Sequence, residues 1–499
     1  MLKRNLIANY LGQGWKALMS LAFIPLYIKY LGIESYGLIG IFALLQSWLC
    51  LLDMGMRPTL SREMARATGG AHSAKSIRDI LRSIEILTVI VAGIIGIGIW
   101  AASVWLANDW LRAEKLPVET VAQAFTIMGV VSALSFIEGI YSSSLLGLQR
   151  QVLMNSLSSA TATLRGFGAV GILMWVSPTL DAFFIWQGCV SILSVIILGR
   201  ATYLALPQST ISGCFSIVEL QPIWRYAIGM LGINLLSLAL MQVDKILLSK
   251  LISLSEYGYY TMAAVAAGVL NMIVGPINQA WFPRLSELFV LNDQAGLIKT
   301  YHQGAQLVSV FMGSTGIVLI VFAAPILQIW TGDNQVAQRV APLFSVLVLG
   351  NLLNGLMWIP YHTQLAHGWT GLNIRINLVS VLLIVPAILW AVPHYGAIGA
   401  AWIWVSLNTG YLLIGVHFMY RKIMKGEKWI WYTDDLLSPL LAATFGTLLV
   451  HWIAPPTPRP LGAFGMLIFA TILSVTLATL AAPLLRQQLR TYIQILFSR

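Results

Sequence analysis

The feature that most constrains this chain is its succession of apolar stretches long enough to cross a bilayer. A spanning helix needs about 20 consecutive, mostly apolar residues. Fourteen such stretches occur in the 499 residues, at about 7–28, 36–54, 84–107, 119–146, 155–176, 182–204, 226–249, 257–280, 302–324, 339–361, 374–392, 397–420, 436–453 and 461–482. The composition agrees: 58% of the residues are hydrophobic and only 10% charged, against about 25% charged in a soluble domain. So little polar surface cannot clothe a water-facing protein of this size, and the hydrophobicity is too high for disorder. The 18 Trp and 17 Tyr suit the aromatic belts of bilayer interfaces.

The net charge of +11 needs no nucleic acid to explain it, because no contiguous basic patch with interleaved aromatics occurs. With the N-terminus inside, twenty-one of the thirty Lys and Arg fall in cytoplasmic segments and six in outside ones. That bias follows the positive-inside rule and predicts both termini in the cytoplasm. Arg200, Arg339 and Arg375 fall toward span ends and count with the adjoining loops, which leaves Lys16, Arg165 and Lys245 within spans. Lys3 and Arg4 precede the first apolar stretch as in a signal peptide, but Asn9, Gln13 and Lys16 interrupt it and no small-residue cleavage site follows. A retained first span is expected. The outside loops are all short, so no inserted soluble domain is expected; the longest cytoplasmic loop, about 55–83, is basic and reads as an interfacial amphipathic helix followed by a turn at Gly69-Gly70. The three cysteines show neither metal-ligand nor redox spacing.

The second half of the chain echoes the first. Leu31-Gly-Ile-Glu-Ser-Tyr-Gly37 has a counterpart in Ser253-Leu-Ser-Glu-Tyr-Gly258, Pro58-Thr-Leu-Ser61 in Pro283-Arg-Leu-Ser286, and Tyr141 and Leu145 in Tyr361 and Leu365. Three matches in order, at nearly constant offset, point to a duplication of spans 1–6 as 7–12. Six is even, so the repeats are parallel, and such a pair suggests two lobes around a central cavity that alternates its access. The expected architecture is all-α and polytopic, with fourteen transmembrane helices: two six-helix lobes at 1–206 and 226–425, a cytoplasmic loop at 207–225, and two extra helices with a tail at 426–499.

Several spans carry polar residues at spacings of three, four, seven and eight, which places each set on one helix face. The sets are Asn5, Asn9, Lys16 and Ser20; Ser132, Ser135, Glu138 and Ser142; Ser158, Thr161 and Arg165; Asn234, Ser237 and Asp244; and Asn351, Asn354 and His362. The bland reading of the uncharged members is helix-to-helix glue. The charged members are more telling, since a charge at the bilayer centre costs about 2.5–3.5 kcal/mol even on insertion scales. Lys16 and Arg165, near the middle of their spans, either line a wet cavity or form structural ion pairs. Asn9, Asn234 and Asn354 are candidate hydrogen-bonding partners of a substrate, and Glu138 and Asp244 are candidate binders of a coupling proton or sodium ion.

Other chemistries lack their signatures. The chain has no Gly-Lys dipeptide, hence no phosphate loop of that type; Gly93, Gly96 and Gly98 lie inside a span, where packing is their role. Asp434-Asp435 stands at the start of span 13, where acidic residues favour a helix N-terminus, and the histidines are scattered. No nucleophile–base set emerges, so neither an enzyme nor a cofactor or metal is expected.

The N-terminal region reads Asn9, Pro25, Leu31-Gly-x-Glu-x-Tyr-Gly37, Asp53-x-Gly55 and Ser61-Arg-Glu63, and the seventh span reads Asp244-Lys-Ile-Leu-Leu before Glu256-Tyr-Gly258. This resembles the polysaccharide-transporter family of the multidrug/oligosaccharidyl-lipid/polysaccharide exporter superfamily, the Wzx-type O-antigen flippases. The resemblance implies translocation of undecaprenyl-diphosphate-linked oligosaccharide from the cytoplasmic to the periplasmic leaflet of a bacterial inner membrane, for O-antigen, capsule or exopolysaccharide. It implies no ATP hydrolysis, and it makes the polysaccharide polymerase and chain-length regulator of such a pathway candidate partners beside the membrane lipids. Only Asp244 and the Glu34/Gly37 turn match family motifs directly. Peptidoglycan-lipid flippases of the same superfamily carry Asn-Pro-x-Arg-Asp in the first span, where this chain has Lys16 alone. The alternative is a cation-coupled drug antiporter of the superfamily, which would favour acidic and aromatic cavity residues. A polymerase or ligase would need a large periplasmic loop, and a scaffold without transport would use the charges as ties between helices.

Overall fold

The computed structural model describes residues 2–52, 56–68, 73–207, 213–217, 220, 242–367, 369, 371–453 and 460–497. Among them every regular element is a helix, and the β-type pairing is one isolated bridge, Arg112 to Ser253. A chain this apolar satisfies its backbone within each helix, because lipid offers no hydrogen bonds.

The backbone divides into two compact units, Met1–Tyr259 and Tyr260–Arg499. The first contains α1 (Leu2–Ala22), α2 (Ile24–Leu31), α3 (Ile33–Leu52), α4 (Met56–Thr68), α5 (Ala74–Trp105), α6 (Val118–Gly147), α7 (Gln151–Trp175), α8 (Leu180–Ala205), the helical stretch α9 (242–251) and the start of α10 (Leu254–Gly268). The second contains α11 (Asn271–Val290), α12 (Gln294–Val308), α13 (Ser314–Val321), α14 (Ala323–Thr331), α15 (Asn334–Leu356), α16 (Trp358–Ala366), α17 (Gly371–Tyr395), α18 (Ala397–Gly410), α19 (Val416–Lys422), α20 (Lys428–Ile430), α21 (Ser438–Ile453), α22 (Pro460–Ala481) and α23 (Pro483–Phe497). π-helical turns interrupt the ladder at Ser309–Gly313, Tyr411–Gly415 and Trp431–Leu437.

Ten helices among the described residues are long and apolar enough to cross a membrane. They coincide with ten of the fourteen expected spans. Of the other four, 7–28 falls on α1 and α2, 36–54 on α3 and 155–176 on α7, while 226–249 lies largely outside the described residues. The break between α1 and α2 comes at Phe23, just before Pro25, which has no N–H to give and sits in the first turn of the new helix. Gly32 then separates α2 from α3 at φ +83°, a left-handed value that suits glycine.

The basic loop differs from its expected interfacial role. Its helix, α4, buries Leu60 and Met64 completely and joins a core with Ile77, Ile80, Ile84 and Phe136 of α5 and α6. A Cβ at Gly147 of α6 would collide with the Ser61 carbonyl, so the two backbones meet closely there. The apolar face that amphipathicity predicts is present; protein covers it rather than lipid. Gly69 and Gly70 lie outside the described residues.

One end of the first unit is tied across several segments. A Cβ on Gly37 would meet the Leu254 carbonyl, and one on Gly258 would meet the Ile33 carbonyl, so the starts of α3 and α10 cross reciprocally at two glycines. Buried Glu34 accepts hydrogen bonds from the backbone N–H groups of Glu114, at 2.6 Å, and Lys115, at 3.0 Å. Leu254 N donates to Arg112 O at 3.0 Å, and Trp110 Nε1 to Ser249 Oγ at 3.1 Å.

An ion-pair cavity in the N-terminal unit

Three helices build the candidate site. On α6, Ser135, Glu138 and Ser142 follow one another at helical spacing. On α7, Arg165 sits one turn beyond Thr161. Ser191 of α8 is fully buried beside them. Arg165 Nη2 lies 2.9 Å from Glu138 Oε2 and donates to Ser191 Oγ at 3.0 Å. The sequence suggests separate roles for Arg165 and Glu138, as substrate ligand and ion ligand, and the fold brings them into one ion pair.

The pair is not sealed. It lines a cavity of about 340 Å³ with Phe42, Gln46, Ser135, Gly139 and Ser142. The Arg165 and Glu138 side chains are 25% and 20% exposed. Both contacts of Arg165 run through Nη2. Its guanidinium has five N–H donors in a planar fork, so Nε and Nη1 are left for an acceptor in the cavity. Gln46 Nε2 donates to Ser132 Oγ at 3.3 Å, which fixes its carboxamide on the cavity wall.

Further cations stand near this space. The Arg57 guanidinium abuts Gly139, where a Cβ would collide with it, and Nη2 donates to the Phe136 carbonyl at 3.3 Å. Arg57 also stands 5.4 Å from the Phe136 ring centroid, a cation–π contact. Lys16, half-buried on α1, lies near enough to Glu138 for their charges to interact. The seating of α1 on α7 is tight: Trp15 Nε1 donates to Thr163 Oγ1 at 2.8 Å, and Gly12 lies against Asn155. Glu138 thus pairs with Arg165 and feels the charge of Lys16, one helical turn from Ser135 and Ser142.

The remaining sequence candidates lie elsewhere. Asn9 lies on α1, and its side chain is outside the described residues, as is the whole of Asn234. Asn354 Nδ2 donates to Asn408 Oδ1 at 2.8 Å, and its neighbour Asn351 bonds the Ala267 carbonyl and Trp404 Nε1. These amides hold helices of the second unit together, as polar residues do between spans. Asp244 is half-buried on α9, where Lys245 Nζ donates to Gln242 Oε1 at 2.8 Å. The family-type Glu34 serves the backbone of 114–115.

Arg57, Gln46 and Phe42 escaped the sequence reading. Gln46 is a single polar residue in an apolar span, and Phe42 gives no signal in such a span. Arg57 follows the span and counts there as a topology charge. Its one signal is its position beside the repeated Pro-x-Leu-Ser segment.

The family model described as "Polysaccharide biosynthesis protein" matches residues 2–289. A protein of Shigella flexneri described as "Putative O-antigen transporter" is 20% identical over 402 residues, covering 80% of this chain and 93% of that one. Among solved structures, the lipid II flippase MurJ in an inward closed conformation superposes with a TM-score of 0.72 at 12% identity, covering 95% of this chain and 98% of that chain. An inward-facing MATE-family multidrug resistance transporter of the MOP superfamily gives 0.62 at 14% identity, over 82% of this chain and 96% of that chain. At such identities the likeness is one of fold.

Proposed function

The chain belongs to the polysaccharide biosynthesis protein family, and from that premise we propose that it is a flippase for undecaprenyl-diphosphate-linked oligosaccharide, working from the cytoplasmic to the periplasmic leaflet of a bacterial inner membrane. It is a multi-pass membrane protein with the fold of MurJ and the MATE transporters. The observation that carries the proposal is the partly exposed Arg165–Glu138 pair lining a cavity, with Arg57 against Gly139 of its wall and the charge of Lys16 reaching Glu138. A diphosphate brings at least two negative charges, and a guanidinium fork matches its oxygens bidentately. Ser135, Ser142 and Gln46 offer hydrogen bonds to sugar hydroxyls.

The arrangement supports a cycle by exchange of partners. An arriving phosphate competes with Glu138 for Arg165. Once displaced, the partly buried carboxylate has lost its paired cation, which favours uptake of a proton or sodium ion. Release of the head group restores the pair and expels the ion. Glu138 is in this way the coupling group of the site; Asp244, which matches the family motif on α9, is a second one. The tie between the starts of α3 and α10 and the 110–115 segment supports a state closed at the outer end. That the two crossing glycines belong to the echoed segments supports the duplication of 1–206 in 226–425, and the bias of Lys and Arg supports cytoplasmic termini. Drug antiport is the alternative within the superfamily, but the guanidinium the cavity offers suits an anionic head group better than a cationic drug.

The test is export of finished glycan in a strain whose own flippase gene is deleted, measured together with membrane abundance. Arg165→Ala should insert at normal levels and export no glycan. Normal glycan at normal abundance would remove Arg165 from the site.

A further inference from the structure

The second unit holds a buried ionisable cluster that the transport site does not use. His302 of α12 and Asp435, in the π-helical turn Trp431–Leu437, are 5% and 0% exposed. Nδ1 of His302 lies 2.5 Å from Asp435 Oδ2, and Nε2 lies 3.2 Å from Glu427 Oε2. The other Asp435 oxygen accepts from Gln306 Nε2 at 2.9 Å, and Gln306 Oε1 accepts from the backbone N–H of Leu484, at the start of α23, at 3.0 Å. Both carboxamide ends of Gln306 are therefore committed, and Asp435 is held in place.

The proton count of this cluster follows from its geometry. A neutral imidazole has one N–H and one lone pair. With both ring nitrogens facing carboxylate oxygens, a neutral His302 would aim its lone pair at one of them. Both contacts are hydrogen bonds only when the ring carries two protons or one carboxyl carries one. The arrangement thus calls for one proton beyond a neutral histidine and two carboxylates. A fully buried Asp435 makes the alternative costly, since an uncompensated buried carboxylate is strongly disfavoured. The other groups around the cluster are Lys299 and Tyr301 from α12, Tyr420 from α19, and Tyr432 and Asp434 from the π-helical turn. Tyr301 and Tyr420 bond each other at 2.6 Å. A cavity of about 480 Å³, lined in part by Lys299, Glu427 and Asp434, reaches His302 and Asp435. By the charge bias it opens toward the cytoplasm.

We propose that His302, Asp435 and Glu427 form a proton-binding site, loaded from this cavity through Glu427. One proton passes from water to the Glu427 carboxylate and on to His302 Nε2, while Nδ1–H stays on Asp435; release reverses the path. The proton fastens the π-helical turn and α23 to α12, so that its loss loosens the joint. π-turns are frequent at functional sites. The site stands on geometry alone, and only the use of its proton in transport rests on the reading above.

The full chain, purified in detergent, supplies the test. A native state that binds an extra proton is more stable at low pH and loses that stability as pH rises. The melting temperature of the wild type should fall between about pH 6 and about pH 8, the range of histidine titration. His302→Gln should remove that fall. The same fall in His302→Gln, or none in the wild type, would overturn the site. Should His302→Gln not accumulate, Glu427→Gln in the partly exposed turn should move the fall to lower pH, and an unchanged curve would overturn the site equally. In proteoliposomes, an imposed pH gradient should accelerate glycolipid movement by the wild type and not by His302→Gln; acceleration of both would overturn the coupling. A wild type that titrates as stated but moves no glycolipid would leave the site standing and the transport reading fallen.

Discussion

At the scale of residues, one arginine has two claims on it. Arg165 is held by Glu138 and Ser191 through a single nitrogen and keeps donors facing the cavity. Breaking a fully buried ion pair costs about 3–5 kcal/mol. This pair is 25% and 20% exposed, so water screens it and the cost of Arg165→Ala falls toward about 1 kcal/mol. That margin leaves the protein inserted and folded, and the loss appears in function. Arg165→Lys keeps the charge without the planar fork, so glycan export should be intermediate between Ala and wild type. An Arg165→Lys variant with export equal to that of Arg165→Ala would deny any role to the charge. Glu138→Gln removes the competitor for Arg165. It should bind the substrate head group more tightly, at least severalfold, while translocating more slowly; binding of labelled undecaprenyl-diphosphate glycan to the purified variant checks the first, and vesicle assays the second. Both residues were legible in the sequence as charges inside spans. Their pairing was not, because they are 27 positions apart on different helices and no local pattern links them.

At the scale of elements, the crossing of α3 and α10 is the contact most open to test. Its two glycines allow backbone carbonyls to approach where a methyl group would not fit. Gly37→Leu should hold the two helix starts apart. Ser249, 4% exposed and bonded to Trp110, then reports the opening. With the three native cysteines replaced by serine, Ser249→Cys should be shielded from a membrane-impermeant thiol reagent, and should react once Gly37→Leu is added. A shielded cysteine in the double variant, with normal glycan export, would mean that this crossing gates nothing. Glu34 belongs to the same junction. Its carboxylate receives charge-assisted hydrogen bonds from two backbone N–H groups, each contributing about 1.5–3 kcal/mol, and Glu34→Ala should lower the melting temperature without altering the Arg165 cavity. Helices were legible from hydropathy alone because lipid permits little else. The amphipathic face of α4 was legible as well, but amphipathicity states only that an apolar face is covered. What covers it here is α5 and α6, a tertiary fact with no local signature.

At the scale of the whole molecule, the apolar runs and the bias of Lys and Arg carry the topology. Reporter fusions after Lys428 should mark the cytoplasm and those after Arg459 the periplasm; the reverse would overturn the orientation. The cluster at His302 shows where such reading stops. Asp435 stood out as half of an acidic pair, but His302 lies 133 positions away and its span gave no reason to single it out. Long-range polar pairs of this kind are set by which helices meet, and the resemblance to a family supplies a fold without supplying them. The central claim is that the chain moves a lipid-linked oligosaccharide across the bilayer by way of the Arg165 cavity. Reconstituted into proteoliposomes with labelled undecaprenyl-diphosphate oligosaccharide in one leaflet, the wild type should expose label to an impermeant reagent on the far side, and Arg165→Ala at equal protein density should not. Equal exposure with wild type, with Arg165→Ala and with protein-free vesicles would contradict the account.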